Sequence, residues 1–257
     1  QVDVRSSATA KTITSEQIEL LPKGRDFTGI ATQAAGVANE GFAGGLSIDG
    51  ASGSENRFVI DGVDTTHPQD GLSGQDLVTD FIEEVQVKSA GYQAEYGGSV
   101  GGVINAVTKS GTNEFKGWVG LYYGDSSWNG DERTTPYRSD PSLYRTFDKD
   151  SSTTTEPGFA IGGPIVKDKA WFYGGYTYTE ADIDRTPVGK ATSNRTDKRE
   201  YMALNVKGNV GSQFLYKVSG NFSPREIDGI MPAKDGTTPI EADLSVVSVL
   251  SGNRNFE

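Results

Sequence analysis

Phe159 to Thr179, FAIGGPIVKDKAWFYGGYTYT, is the stretch on which the reading of this chain turns. It holds two runs rich in aromatic and aliphatic residues, Phe159 to Val166 and Ala170 to Thr179, parted only by Lys167 to Lys169. Side chains alternate faces along a strand, so such runs fit a wall with different surroundings on its two sides. The same grammar recurs outward, at Trp118 to Tyr123, at Glu200 to Val210 and most clearly at 213–222. There Phe214, Tyr216, Val218, Gly220 and Phe222 share one face, and Gln213, Lys217, Ser219 and Asn221 the other. About five strands result, each near the length of about ten residues that a barrel strand needs to cross a bilayer.

The connections say more than the strands. They run long (Asp125 to Pro157), short (Lys167 to Lys169), long (Glu180 to Arg199), short (Gly211 to Ser212) and long again from Pro224. Long and short links therefore sit at opposite ends, as in outer-membrane barrels with short periplasmic turns and long outer loops. Tyr122, Tyr123, Trp128, Trp171, Phe172, Tyr173, Tyr176 and Tyr178 crowd the strand ends, where amphipathic rings suit a membrane interface. A soluble sandwich also alternates; the loop asymmetry is what favours a membrane wall.

Upstream, from Thr14 to about Lys109, short helices and short strands mix. Ser15 is placed to cap a helix through Leu20, stopped by Pro22 and Gly24, and a second helix is expected from Asp26 through Ala34 to Gly36. Leu46 to Ile48 and Arg57 to Ile60 are brief apolar strands, each closed by Asp-Gly, a strong turn signal. A short helix around Leu77 to Phe81 leads into the strand IEEVQV (Ile82 to Val87), and GGVINAVT (Gly101 to Thr108) supplies another. This half reads as a compact α+β domain.

Composition narrows the classes further. The 257 residues carry a formal charge of −11, which argues against binding nucleic acid, since phosphate backbones are held by clustered Lys and Arg. With no cysteine there is no disulfide scaffold, thiolate metal site or thiol nucleophile. No apolar run of about twenty residues occurs, which excludes a helical span and leaves a β-barrel open. No apolar core marks a signal peptide in Gln1 to Ala10.

Three long stretches carry a resemblance: FVIDGVDTT (Phe58 to Thr66), IEEVQVKSAGYQAEYGGSVGGVINAVTKSGTNEFKG (Ile82 to Gly117) and EPGFAIGGPIVKDKAWFYGGY (Glu156 to Tyr176). In this order they resemble the TonB-dependent receptors, and within them the Oar-like branch. The resemblance implies an α+β plug domain followed by antiparallel strands of a large transmembrane β-barrel of about twenty-two strands, of which only the first few are present. It implies a linker at 1–13, a plug at 14–112 and an incomplete barrel portion at 113–257. About five strands leave an open edge that lipid does not tolerate, so the chain is expected to be part of a longer one. The small residues Gly97, Gly98, Ser99, Gly101 and Gly102 are expected where plug backbone lies close against a neighbour.

As implied, the function is transport across the outer membrane of a Gram-negative bacterium. An extracellular substrate (peptide, protein, glycan or siderophore) passes a plugged barrel, driven by a TonB-type energy-transducing protein in the periplasm, with outer-membrane lipid around the wall. The alternative is a surface binding protein, adhesin or lectin-like, without transport. Plug loops in the resemblance hold substrate, which puts Thr65, Thr66, His67, Gln69 and Asp70 forward as contacts. Catalysis is not expected: His67 is the single histidine and no G-x-S-x-G nucleophile elbow accompanies it. No metal or cofactor is expected either. Asp148, Asp150 and Ser152 begin like a calcium loop but lack its glycine and glutamate, and GGSVGG (Gly97 to Gly102) lacks dinucleotide-site spacing.

Overall fold

The structure is a computed structural model that describes residues 9–20, 24–40, 45–90, 97, 99–136, 144–210 and 214–236. It forms two compact units, one from described residues within Gln1–Gly117, Ala160–Gly175 and Tyr201–Ser223, the other within Trp118–Phe159, Tyr176–Glu200 and Pro224–Glu257.

The first unit contains the α+β domain. Its strands are β1 (Thr9–Thr14), β2 (Val37–Asn39), β3 (Leu46–Ile48), β4 (Arg57–Ile60), β5 (Val63–Asp64), β6 (Ile82–Ala90) and β7 (Val103–Thr108). Five form a sheet in the order β1-β6-β7-β4-β5, with β4 and β7 parallel and the other pairs antiparallel. The last residues of the expected linker thus run as β1 along one edge; residues 1–8 lie outside the described ones. Helices α1 (Ser15–Leu20) and α2 (Phe27–Ala31) supply buried apolar residues, and Phe27 meets Phe58 edge-on at 6.3 Å. Phe27, Phe58, Phe81, Ile82, Val85, Val103 and Ile104 are almost completely buried.

Local chemistry explains the elements and two differences from expectation. Asp49-Gly50 and Asp61-Gly62 all have positive φ, the backbone of a type I′ turn, and Asp61-Gly62 links β4 to β5 with Ile60 opposite Val63. α1 begins at Ser15 itself, with the Gln17 carboxamide accepting the Thr14 N–H, so the cap falls one residue earlier; Pro22 lies outside the described residues. α2 is capped by Asp26, which accepts the Thr28 N–H at 3.1 Å, but it ends at Ala31, well short of Gly36, where φ is +80°. The expected helix near Leu77 is one 3₁₀ turn, Thr79–Phe81.

The wall strands are β8 (Lys116–Asp125), β11 (Ser151–Val166), β12 (Ala170–Arg185), β13 (Ser193–Val210) and β14 (Phe214–Phe222), in the sheet order β14-β13-β12-β11-β8. Two-residue strands β9 (Thr135–Pro136) and β10 (Tyr144–Arg145) pair with each other. Three of the wall strands are much longer than expected, at 16, 16 and 18 residues. Pro224 does not open a long loop: β15 (Arg225–Gly229) follows at once and pairs with β13 in the same register as β14. The short link Lys167 to Lys169 is a turn with Asp168 at φ 61°; Gly211 to Ser212 lies outside the described residues.

Alternation holds along the wall. Val119, Leu121, Phe159, Ile161, Ile165, Leu204 and Val218 are at least half exposed, whereas Ala160, Ala203 and Asn205 are buried. Exposed apolar side chains alternating with buried small or polar ones suit a strand with hydrocarbon on one face. Of the expected interface aromatics, Tyr173 is 7 % exposed with its hydroxyl at 3.5 Å from the Asp80 carbonyl, and the Trp171 indole N–H donates to Asn113 at 2.7 Å.

Phe81 is fully buried, and a Cβ added at Gly175 on β12 would stand 2.4 Å from its ring. Phe81→Ala is expected to cost about 3–5 kcal/mol through lost burial and the cavity left. Faster hydrogen exchange along β6 and β7 in the full-length protein would report it, and unchanged exchange would contradict this placement.

Candidate functional site

The expected substrate loop follows β5. Asp64 takes the Thr66 N–H at 3.0 Å, and the Thr66 hydroxyl accepts the Phe58 N–H at 2.9 Å, so the loop is stitched back onto β4. The His67 N–H donates to the Leu72 carbonyl at 2.8 Å and the Gly71 N–H to the His67 carbonyl at 2.9 Å. Gly71 has φ +70°, and a Cβ there would lie 2.1 Å from the Ser54 carbonyl oxygen. His67 Nδ1 stands 3.0 Å from Asp70 Oδ1, which also accepts the Leu72 N–H. The Leu72 N–H and the His67 ring beside it lower the Asp70 pKa.

The five expected contacts are therefore brought together in sequence but not in role. Thr65 and Thr66 hold the loop to β4, His67 and Asp70 pair with each other, and Gln69 is exposed beside them. The loop presents one imidazole, one carboxylate and one carboxamide. Among the described residues no group of three or more His, Cys, Asp or Glu is placed to hold a metal ion.

A second arrangement was not foreseen. Asp61, read in the sequence only as a turn former, has a side chain 1 % exposed. It accepts the Thr108 N–H at 3.0 Å and the Thr108 hydroxyl at 2.6 Å, and Lys217 of β14 donates to it at 2.8 Å. Two further bonds join plug sheet and wall within this unit: Asn205 to the Thr108 hydroxyl at 3.3 Å, and Lys207 to the Ser110 hydroxyl. A cavity of about 350 Å³ lies beside the ion pair, lined among others by Arg57, Asp64, Asn105 and Lys217. The available signal was that Lys217 is the one charged residue on the otherwise neutral polar face of its strand.

Two of the long motifs meet here too. Asn113, in SGTNEF, accepts the Asp168 N–H at 3.0 Å and donates to the Asp168 carboxylate, clasping the turn between β11 and β12. A Cβ at Gly111 would fall 2.1 Å from the Phe172 carbonyl oxygen. Gly101 and Gly102 likewise leave no room for a side chain, with Asn56 at 2.5 Å and Ile48 at 2.6 Å from an added Cβ; Gly98 lies outside the described residues. Asp150 is bound by the Arg185 guanidinium at 2.7 and 3.0 Å.

A compact α+β body bonded to the buried face of long antiparallel strands, whose other face is apolar and exposed, defines a plugged outer-membrane barrel. Residues 3–103 match the TonB-dependent receptor plug domain, and residues 107–199 match an outer membrane beta barrel domain. The chain is 35 % identical over 164 residues to the TonB-dependent transporter Oar of Myxococcus xanthus, covering 63 % of this chain and 15 % of that protein. It is 26 % identical over 201 residues to the probable TonB-dependent siderophore receptor PirA of Acinetobacter baumannii, 70 % of this chain and 24 % of the relative. The chain thus spans under a quarter of the length of these relatives. In fold it resembles the outer membrane transporter YddB from Escherichia coli, with TM-score 0.69 and 17 % identity over 85 % of this chain and 33 % of that one. The crystal structure of the A. baumannii PirA gives TM-score 0.60 and 20 % identity over 86 % and 32 %. The two matches together place the chain among the TonB-dependent receptors, in the outer membrane of Gram-negative bacteria.

Burial pushes the Asp61 pKa up, but Lys217 and the two donors of Thr108 outweigh it, and the value lies below the ordinary 3.8. A carboxyl depressed in this way contributes stability that is complete above about 3.8 and lost as pH falls through the lower folded value. Lys217→Met leaves a buried acceptor without its cation, at a cost of about 1–3 kcal/mol, and lets burial raise the Asp61 pKa. Acid opening at the Thr108 amide, followed by hydrogen exchange, is then expected to begin at a higher pH than in the wild type.

Proposed function

We propose that this chain is the plug and first wall portion of a transporter that binds an extracellular substrate and passes it through the barrel, using energy transmitted from the inner membrane. The observation that carries the reading is how the plug sheet is held. Its inner strands β4 and β7 are bonded to the wall through Asp61 and Thr108, while β1 lies at the far edge and pairs with β6 alone. An edge strand is the part of a sheet most easily drawn away or augmented. In this reading residues 1–13 lead from a TonB-type periplasmic partner, residues 14–112 act as the stopper and residues 113–257 begin the wall among outer-membrane lipid.

Thr65, Thr66, His67, Gln69 and Asp70 form the substrate-side loop, with the exposed pair His67 and Asp70 and the neighbouring Gln69 as the contacting groups and the threonines as its fastening. The relatives' printed roles, transport for Oar and siderophore reception for PirA, support import or export of a soluble cargo. We assign no catalysis and no cofactor to the chain, and the non-transporting adhesin finds no support in the relatives.

In the full-length protein, deletion of residues 1–13 is expected to abolish energised transport while leaving the barrel in the outer membrane, measured by uptake or export of labelled cargo beside a membrane-fraction immunoblot. Transport at the wild-type rate would overturn the proposal. Gln69→Ala is expected to weaken cargo binding by about threefold to tenfold, the range for loss of one or two surface hydrogen bonds, without altering membrane insertion.

A further inference from the structure

In the second unit, β13 and β15 bring three guanidinium groups to one carboxylate. Arg225 approaches Asp197 as a fork, with Nε at 2.9 Å and Nη2 on the other oxygen. Arg199 Nε lies 3.4 Å from Asp197 and Arg195 Nη2 at 3.5 Å. All four side chains are partly buried, none being more than 36 % exposed. They share one face of the strand pair, since Asp197 stands opposite Ile227 and Arg199 opposite Arg225.

Other charges lie nearby, Glu226 and Asp228 of β15 standing opposite Lys198 and Thr196. Alternation sends the even-numbered residues of β13 to the other face, where Asn194 and Thr196 bond Asp184 and Asp182 at 2.9 and 2.6 Å and Lys198 stands 3.9 Å from Glu180. Glu156, buried on β11, accepts the Thr179 hydroxyl at 3.2 Å. Within the cluster three guanidinium groups face the one carboxylate of Asp197. Arg195 is the under-satisfied member: its Nε is buried with no hydrogen-bond partner among the described residues, and Asp197 is already engaged by the Arg225 fork. A buried guanidinium donor without an acceptor is costly, and its planar fork suits carboxylate and phosphate oxygens.

The β13 register is unbroken from Arg195↔Gly229 to Met202↔Phe222, so odd-numbered residues keep to one side of the strand. Met202 and Leu204 are exposed apolar residues and Ala203 and Asn205 buried ones, which makes the odd side the one turned from lipid. We propose that Arg195, backed by Arg199 and Arg225, binds an oxyanion group, carboxylate or phosphate, carried by the soluble cargo. The inference rests on the transport reading for what the site is used for; the binding itself does not.

The test uses the full-length protein in detergent without any energy source, titrated by calorimetry with inorganic phosphate and with succinate, chloride holding the ionic strength constant. Saturable binding of at least one anion is expected, weakened about tenfold in Arg195→Gln, as loss of a charge-assisted contact implies. The thermal midpoint should fall only slightly, because Arg195 reaches Asp197 at 3.5 Å while the Arg225 fork stays in place. Should Arg195→Gln fail to fold, Arg195→Lys, which keeps the charge and loses the fork, takes its place with the same readings. Absence of saturable binding by either anion, or equal affinity in wild type and variant, overturns the site. A protein that binds the anion yet does not transport would refute the transport reading alone; one that transports without binding it would refute this inference alone.

Discussion

The arrangement depends on one buried carboxylate. Asp61 occupies a left-handed turn position that few residues adopt readily, beside Gly62, and there its side chain folds back onto Thr108. The turn and the anchor use the same residue: an asparagine or glycine fits the turn but lacks the charge that holds Lys217. A carboxylate 1 % exposed is costly without a cation, and the cation comes from a wall strand 156 residues later. Plug and wall strands in this unit are thereby coupled electrostatically as well as by packing.

Around that pair, contact is governed by what is missing from side chains. Gly111 and Gly163 leave room for backbone and for the Phe115 ring, and Gly175 for Phe81. The motifs SGTNEF and GGPIVKDKAWF are therefore two halves of one interface, with Asn113 bonding both the Asp168 turn and Trp171. Long motifs far apart in sequence can be physically one feature.

The sequence made the strands legible where one face is apolar, because alternation is a hydrophobic signal. It failed along the polar stretches: Ser151 to Glu156 and Ser193 to Arg199 are polar on both faces, Glu180 to Arg185 has only Ala181 and Ile183 as apolar residues, and their pairing includes bonds such as Thr196 to Asp182. Pro224 read as a break, yet a proline loses only its donor, and its carbonyl still accepts the Glu200 N–H at 3.0 Å. In the plug, Asp-Gly announced turns correctly, but the ion pair of Asp61 could not be read, since nothing in a turn signal names a partner. The His67 loop was legible as a polar loop only; which residues fasten it and which face outward is decided by the Phe58 and Leu72 bonds.

The two faces of the wall strands obey different constraints, and this bears on where recognition can evolve. On the lipid side a side chain need only be apolar, so Val119, Leu121 and Ile165 are interchangeable with others of their kind. On the other side three residues have partners in the plug half of this unit: Asn205 with Thr108, Lys207 with Ser110, Lys217 with Asp61. Further along the same alternation stand Arg195, Asp197 and Arg199, paired with one another. Positions constrained neither by lipid nor by a packed neighbour are the ones at which a wall can acquire specificity without losing its fold.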